Sequence, residues 1–148
     1  CGARLKLITA GDVSAGISTA LEGTGVDLLI GIGGSPEGVI TAAALKCMGG
    51  DMQCKVWPRD DSERDYARQM GYDLNKILTI VDLVNSDNVF FSATGITDGE
   101  LLKGVHYVSG GATTESLVMR SRSGTVRRIG ATHRLEKLDL YSQVEYRG

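Results

Sequence analysis

A chain of 148 residues with 42% hydrophobic and 23% charged side chains has enough apolar material for one folded domain and is far from the composition of a disordered tail. The formal net charge is −2, and no apolar run reaches membrane-spanning length, so a membrane protein is excluded as the working expectation. Three cysteines, Cys1, Cys47 and Cys54, without a C-x-x-C pair, indicate neither a disulfide framework nor a zinc site; reduced thiols and a cytoplasmic location are expected.

Residues 4–9 (RLKLIT) alternate and predict a strand. The chain reaches this strand within three residues of Cys1, without a methionine, so an upstream part is expected to be missing. A turn follows at Ala10, Gly11 and Asp12, with Asp12 placed as the N-cap of a small-residue helix over 13–21 that stops near Gly23. A second apolar strand over 27–32 runs through a glycine-rich loop into an apolar helix that stops near Gly49 and Gly50. Gly31, Gly33 and Gly34 are expected to permit a tight turn, positive φ and a close ligand. Ser35 reads as N-cap and Pro36 as the first helical residue, where its missing N–H is harmless.

The free N–H groups of that helix start favour an anion such as phosphate. Glu37, in the same turn, would repel the anion unless a cation lay between them, which makes it a candidate metal ligand. The plainer reading of Glu37 is a favourable partner for the helix dipole, and the plainer reading of Asp12 is a helix cap. The loop is no nucleotide fingerprint: Pro36 stands where G-x-G-x-x-G needs glycine, and Val39 where a P-loop needs lysine.

Further along, 53–57 predicts a short strand, 58–61 a break, 62–70 a charged helix stopped by Gly71, 76–80 a strand, and 81–85 one helical turn. A buried strand over 88–93 ends at Thr94 and Gly95, after which Thr97 and Glu100 read as a capping box for a helix over 98–103. This alternation implies a layered α/β/α domain with a mostly parallel or mixed sheet, whose ligands bind beyond the carboxyl ends of its strands. After Gly104 come a strand over 105–108 and a hairpin of 114–120 and 125–129 around Arg122, Ser123 and Gly124. Arg120, Arg122, Arg127 and Arg128 crowd the hairpin, either as a solvated rim or facing phosphate or an acidic surface. No aromatics interleave with them, which argues against nucleic acid. Residues 1–100 carry eight basic and fourteen acidic side chains, residues 101–148 eight basic and four acidic. His106 and His133 have no partner pattern, and 135–148 read as a polar tail able to pack on a neighbour. No internal domain boundary is visible, so 1–148 is expected to be a single domain.

The strings GIGGSPEGV with ITAAALKCMGGDMQ, GDVSAGI, SDNVFFSATGITDGELLKGV and TTESLVMRSRSGTVRR resemble class II fructose-1,6-bisphosphatases of the bacterial, glycerol-regulon type. The resemblance covers almost the whole chain and is to the carboxyl-terminal half of that family. The amino-terminal lobe, which carries most of the family's metal-binding carboxylates, is absent from this sequence. The resemblance implies that Glu37 is a divalent-metal ligand and that Gly34 contacts the sugar phosphate. It places Ala10, Gly11 and Asp12 on the family's D-G-D substrate segment, with Ala10 where the first aspartate is usual. It further implies Mg²⁺ or Mn²⁺, a site between two lobes and hydrolysis of the 1-phosphate of fructose 1,6-bisphosphate. A homo-oligomer with no nucleic-acid or membrane partner is expected. The competing reading from the glycine loop alone is a non-catalytic Rossmann-like module that binds a nucleotide or sugar phosphate.

Overall fold

The protein is described by a computed structural model covering residues 2–138 and Leu140. Two helices open the fold. Helix α1, Asp12–Ser18, follows Gly11, which takes φ 84°, a left-handed conformation that suits a residue without Cβ. Helix α2, Ser35–Met48, starts after Gly34 and is ended by Gly49 at φ 73°, a left-handed C-cap. Each helix starts one residue away from the expected cap. Gly11, not Asp12, is the N-cap of α1, and the Asp12 carboxylate instead accepts from the Val13 N–H at 3.1 Å. Gly34, not Ser35, is the N-cap of α2, and no side chain caps it.

The two helices cross closely. A Cβ on Gly16 would lie 2.5 Å from Thr41 Cγ2, so only glycine fits the crossing. The buried face of α2 is built from small side chains, Thr41, Ala42, Ala44 and Cys47, with Leu45. Its small girth lets α2 serve two apolar clusters. One joins Ile17, Ala44 and Cys47 to Phe91, Leu101, Leu102, Leu117 and Met119; the other joins Ala42 and Leu45 to Ile80.

Every strand pairing among the described residues is antiparallel. Strands β1 (Gln53–Cys54) and β2 (Leu78–Thr79) form a small ladder. Between them lies helix α3, Asp61–Gln69, capped by the Asp60 carboxylate, which accepts from the Glu63 N–H at 2.9 Å. Helix α4, Ile80–Leu83, follows β2, and the Thr79 N–H donates to Asp82 Oδ2 at 2.9 Å. Lys76 Nζ donates to the same carboxylate at 2.6 Å; this bond, with those from Thr79, holds the Asp82 carboxyl far below the usual carboxylate range.

The larger sheet contains β3 (Phe90–Thr94), β4 (His106–Val108), β5 (Gly111–Arg120) and β6 (Thr125–Arg134). Its centre is β5, paired along its whole length with β6, from Gly111 opposite Arg134 to Arg120 opposite Thr125. Strand β3 pairs with the second part of β5 and β4 with its first residues. The hairpin turns through a short 3-10 segment, Ser121–Ser123, and Gly124 at φ 58°. A last helical turn, α5, spans Leu135–Leu138, and the rest of the expected polar tail, apart from Leu140, lies outside the described residues.

The α/β class and the carboxyl-terminal hairpin therefore stand, while the pairing among the described residues is antiparallel where a mostly parallel or mixed sheet was expected. Residues 4–9 and 27–32 are not in strands. Nor does a helix form over 98–103. Leu101 and Leu102 are instead buried in the core from a loop, and the Gly99 N–H donates to the Leu102 carbonyl at 2.9 Å. The loop is irregular because Gly95 and Gly104 press against backbone where any Cβ would collide. No helix of the described residues is long and apolar enough to cross a membrane.

Candidate active site

The two acidic side chains singled out by the sequence each lie against the glycine loop. A Cβ on Gly33 would strike Asp12 Oδ2, and a Cβ on Gly34 would strike Glu37 Oε2. Asp12 and Glu37 thus lie against adjacent glycines, one from the head of α1 and the other from the head of α2. The glycines allow this by lacking side chains. None of Gly31, Gly33 and Gly34 has positive φ, contrary to the expectation for the turn. Gly34 is extended, with φ −68° and ψ 152°.

Glu37 is exposed and Asp12 half-buried. At the uncapped start of α2, the N–H groups of Ser35 and Glu37 have no acceptor from a preceding helical turn, and Pro36 has none to satisfy. The Glu37 carbonyl accepts from Thr41 Oγ1 at 2.8 Å, which ties the start of α2 to the helix crossing. A carboxylate attracts a cation and open amide donors attract an anion, so side by side they can hold the two together.

Ala10 and Gly11 lie on the other side of α1's head. They line a cleft of about 280 Å³ with Lys6, Ile8, Ser14 and Leu101. Lys6 forms an ion pair with Glu100 across this cleft. These two residues are far apart in sequence, so no spacing pattern could have joined them. The loop that carries Glu100 is held at several points. Asp98 Oδ1 accepts from the Gly104 N–H at 2.8 Å and contacts His106 Nε2 at 2.7 Å. The Gly104 bond first, and then the His106 contact, lower the Asp98 carboxyl below the usual carboxylate range. His106, left without a role by the sequence, is a loop fastener here.

The hairpin arginines divide. Arg128 Nη1 donates to the Leu101 carbonyl at 2.8 Å, and Arg120 lies over the Phe90 ring at 4.8 Å while donating from Nε to Asn88 Oδ1 at 3.0 Å. Both are used within the fold. Arg122 and Arg127 are exposed.

The fit of a hard divalent cation to these residues is partial. Oxygen ligands are the correct chemistry, and Glu37 with the neighbouring Asp12 offers them. No group of three or more His, Cys, Asp or Glu side chains able to hold a metal ion occurs among the described residues.

The sequence model of the family described as bacterial fructose-1,6-bisphosphatase, glpX-encoded, matches residues 1–133. Fructose-1,6-bisphosphatase 1 class 2 of Escherichia coli (strain K12) is 42% identical over 156 residues, covering 97% of this chain and 46% of that protein. Fructose-1,6-bisphosphatase class 2 of Shigella flexneri shows the same identity and coverage. The chain spans about half the length of the curated relatives it matches.

Proposed function

The chain belongs to the bacterial fructose-1,6-bisphosphatase family, and from that premise we propose that it is one lobe of a metal-dependent phosphatase that removes the 1-phosphate of fructose 1,6-bisphosphate. The carrying observation is that Asp12 and Glu37 lie against the adjacent glycines Gly33 and Gly34, where α2 begins with open N–H groups. Glu37 holds a divalent cation, Mg²⁺ or Mn²⁺, through its carboxylate. When bound, such a cation neutralises phosphoryl charge and makes a bound water more acidic. The Gly34 backbone lies against the sugar phosphate, which the amides of Ser35 and Glu37 favour by their dipoles. Asp12 accepts hydrogen bonds from sugar hydroxyls and so orients the ring. Gly11 and Ala10 form the adjoining wall with backbone groups only, since Ala10 has no polar side chain.

One wall cannot supply the oxygen ligands that a hard cation takes, about six for Mg²⁺. The 148 residues alone are therefore expected to release no phosphate, and the activity belongs to a two-lobed polypeptide in the cytoplasm. The competing nucleotide-module reading lacks its glycine fingerprint, and the antiparallel pairing gives it no support.

The test is phosphate release from fructose 1,6-bisphosphate by a family-length polypeptide carrying this lobe, with Mg²⁺ or Mn²⁺. Changing a residue that merely supports a metal ligand costs roughly 10–100-fold, so Glu37→Ala, which removes a ligand itself, is expected to lose at least on the order of 10²-fold. Unchanged turnover would remove Glu37 from the metal site. Tight, metal-independent binding of NAD or ATP in a calorimeter would favour the nucleotide module instead.

A further inference from the structure

Thr41 differs in kind from its neighbours in α2. Three alanines follow it, and it is buried, at 7% exposure, where alanine would suit the helix better. Its two branches serve different partners. The hydroxyl oxygen, Oγ1, donates to the Glu37 carbonyl at 2.8 Å. The methyl carbon, Cγ2, lies in the crossing with α1, 2.5 Å from where a Cβ on Gly16 would stand. That same point is 3.8 Å from Leu29 Cδ2, so the stretch leading into the glycine loop converges on the crossing as well.

Each branch acts on an element that presents a carboxylate to the loop. Helix α2 begins at Gly34 with no side-chain cap, so its first turn lacks a bond that commonly steadies a helix start. The bond from Thr41 holds the Glu37 peptide from within the helix instead. On the other side, the methyl limits how near α1 comes, and Asp12 stands at the head of that helix. The two roles share one torsion. Rotation about the Cα–Cβ bond moves Oγ1 and Cγ2 together, so the hydroxyl bond also fixes where the methyl points. A mere spacer would need the methyl alone.

We infer that Thr41 is a positioning residue of the candidate site. Its hydroxyl keeps the first turn of α2, and Glu37 with it, in place against Gly34. Its methyl keeps α1, and Asp12 with it, in place against Gly33. Thr41 itself touches neither cation nor sugar phosphate. The inference rests on the phosphatase reading above.

The two branches can be removed separately in a family-length polypeptide. Mn²⁺ binding is followed by calorimetry, and KM and kcat for fructose 1,6-bisphosphate are measured beside it. Thr41→Val keeps the apolar bulk and loses the donor. It is expected to weaken Mn²⁺ binding about tenfold, the lower end of what a residue supporting a metal ligand costs, with KM near its native value. Thr41→Ser keeps the donor and is expected to retain the native Mn²⁺ affinity. Gly16→Ala crowds the methyl and displaces the sugar-facing Asp12. It is expected to raise KM on the order of tenfold while Mn²⁺ affinity holds, and combining it with Thr41→Ser is expected to return KM toward the native value. If Thr41→Val does not fold, Thr41→Ala, which suits a helix, carries the same Mn²⁺ expectation. Native Mn²⁺ affinity without the hydroxyl would overturn the inference. So would an equal loss in Thr41→Ser, or losses that only follow the unfolded fraction in urea. Unchanged turnover in Glu37→Ala would remove the phosphatase reading itself, whereas lost turnover there beside native Mn²⁺ binding in Thr41→Val would remove only the role of Thr41.

Discussion

The sheet of β3–β6 and the stretch that leads through α1 to the glycine loop are built on opposite terms. In the sheet, β5 has partners on both sides, Leu117 and Met119 are fully buried, and even the connecting loop is closed by Asp98, Glu115 and Arg128. In the leading stretch, only α1 and α2 are packed; the extended segments beside them leave backbone and large apolar side chains open. One region completes its interactions within the chain, and the other presents its interactions outward. The outward-facing region carries Asp12 and Glu37, so the candidate site sits where the structure is least closed.

The largest test of this contrast is truncation in each region. Leu117→Ala removes a fully buried side chain and is expected to cost about 3–4 kcal/mol in urea unfolding. Leu7→Ala removes an exposed one and is expected to change stability by less than about 0.5 kcal/mol. Similar losses at the two positions would break the comparison.

A smaller effect is expected at the one point where the leading stretch is tightly packed. Gly16→Ala puts a Cβ against Thr41 Cγ2, and overpacking of this kind costs about 1–3 kcal/mol. Thr41→Ser removes that methyl while keeping the hydroxyl, so the double variant is expected to recover part of the loss. A double variant no more stable than Gly16→Ala alone would place the strain elsewhere.

The smallest effect is a dependence on pH in the loop that links the two regions. The Asp98 carboxyl is lowered in the folded chain, so its ionised form contributes stability above the usual carboxylate pKa of about 4. That contribution is lost as pH falls through this value toward the lowered one. The gap in urea midpoint between the native sequence and Asp98→Asn is therefore expected to be wider at pH 6 than at pH 3. A gap that widens on acidification would reverse the sign of the argument.

What was legible in the sequence follows the same division. Helix α2 announced itself through Pro36 and the stop near Gly49, and the β5–β6 hairpin through its turn at Arg122, Ser123 and Gly124, because these signals are local. Residues 4–9 and 27–32 read as strands, but pairing needs a neighbouring strand, which a local pattern does not name, and in the structure Leu5, Leu7, Leu28, Ile30 and Ile32 are exposed. The Thr97 and Glu100 pattern fits a capping box, yet Leu101 and Leu102 are drawn into the core from a loop pinned by Asp98 and by the close approach of Gly95 and Gly104 to backbone. Asp12 and Glu37 could be singled out one by one. The place of Asp12 against Gly33 depends on how two helices cross, a property of the fold rather than of either segment.

That crossing has a consequence for the carboxylates above it. Gly16 and Thr41 each lie four positions after the acidic residue at the head of their own helix, so the contact that fixes how closely α1 and α2 approach also fixes from where Asp12 and Glu37 are presented to the loop. A change of bulk at that contact is expected to shift where the two carboxylates are presented while leaving every charged group unaltered.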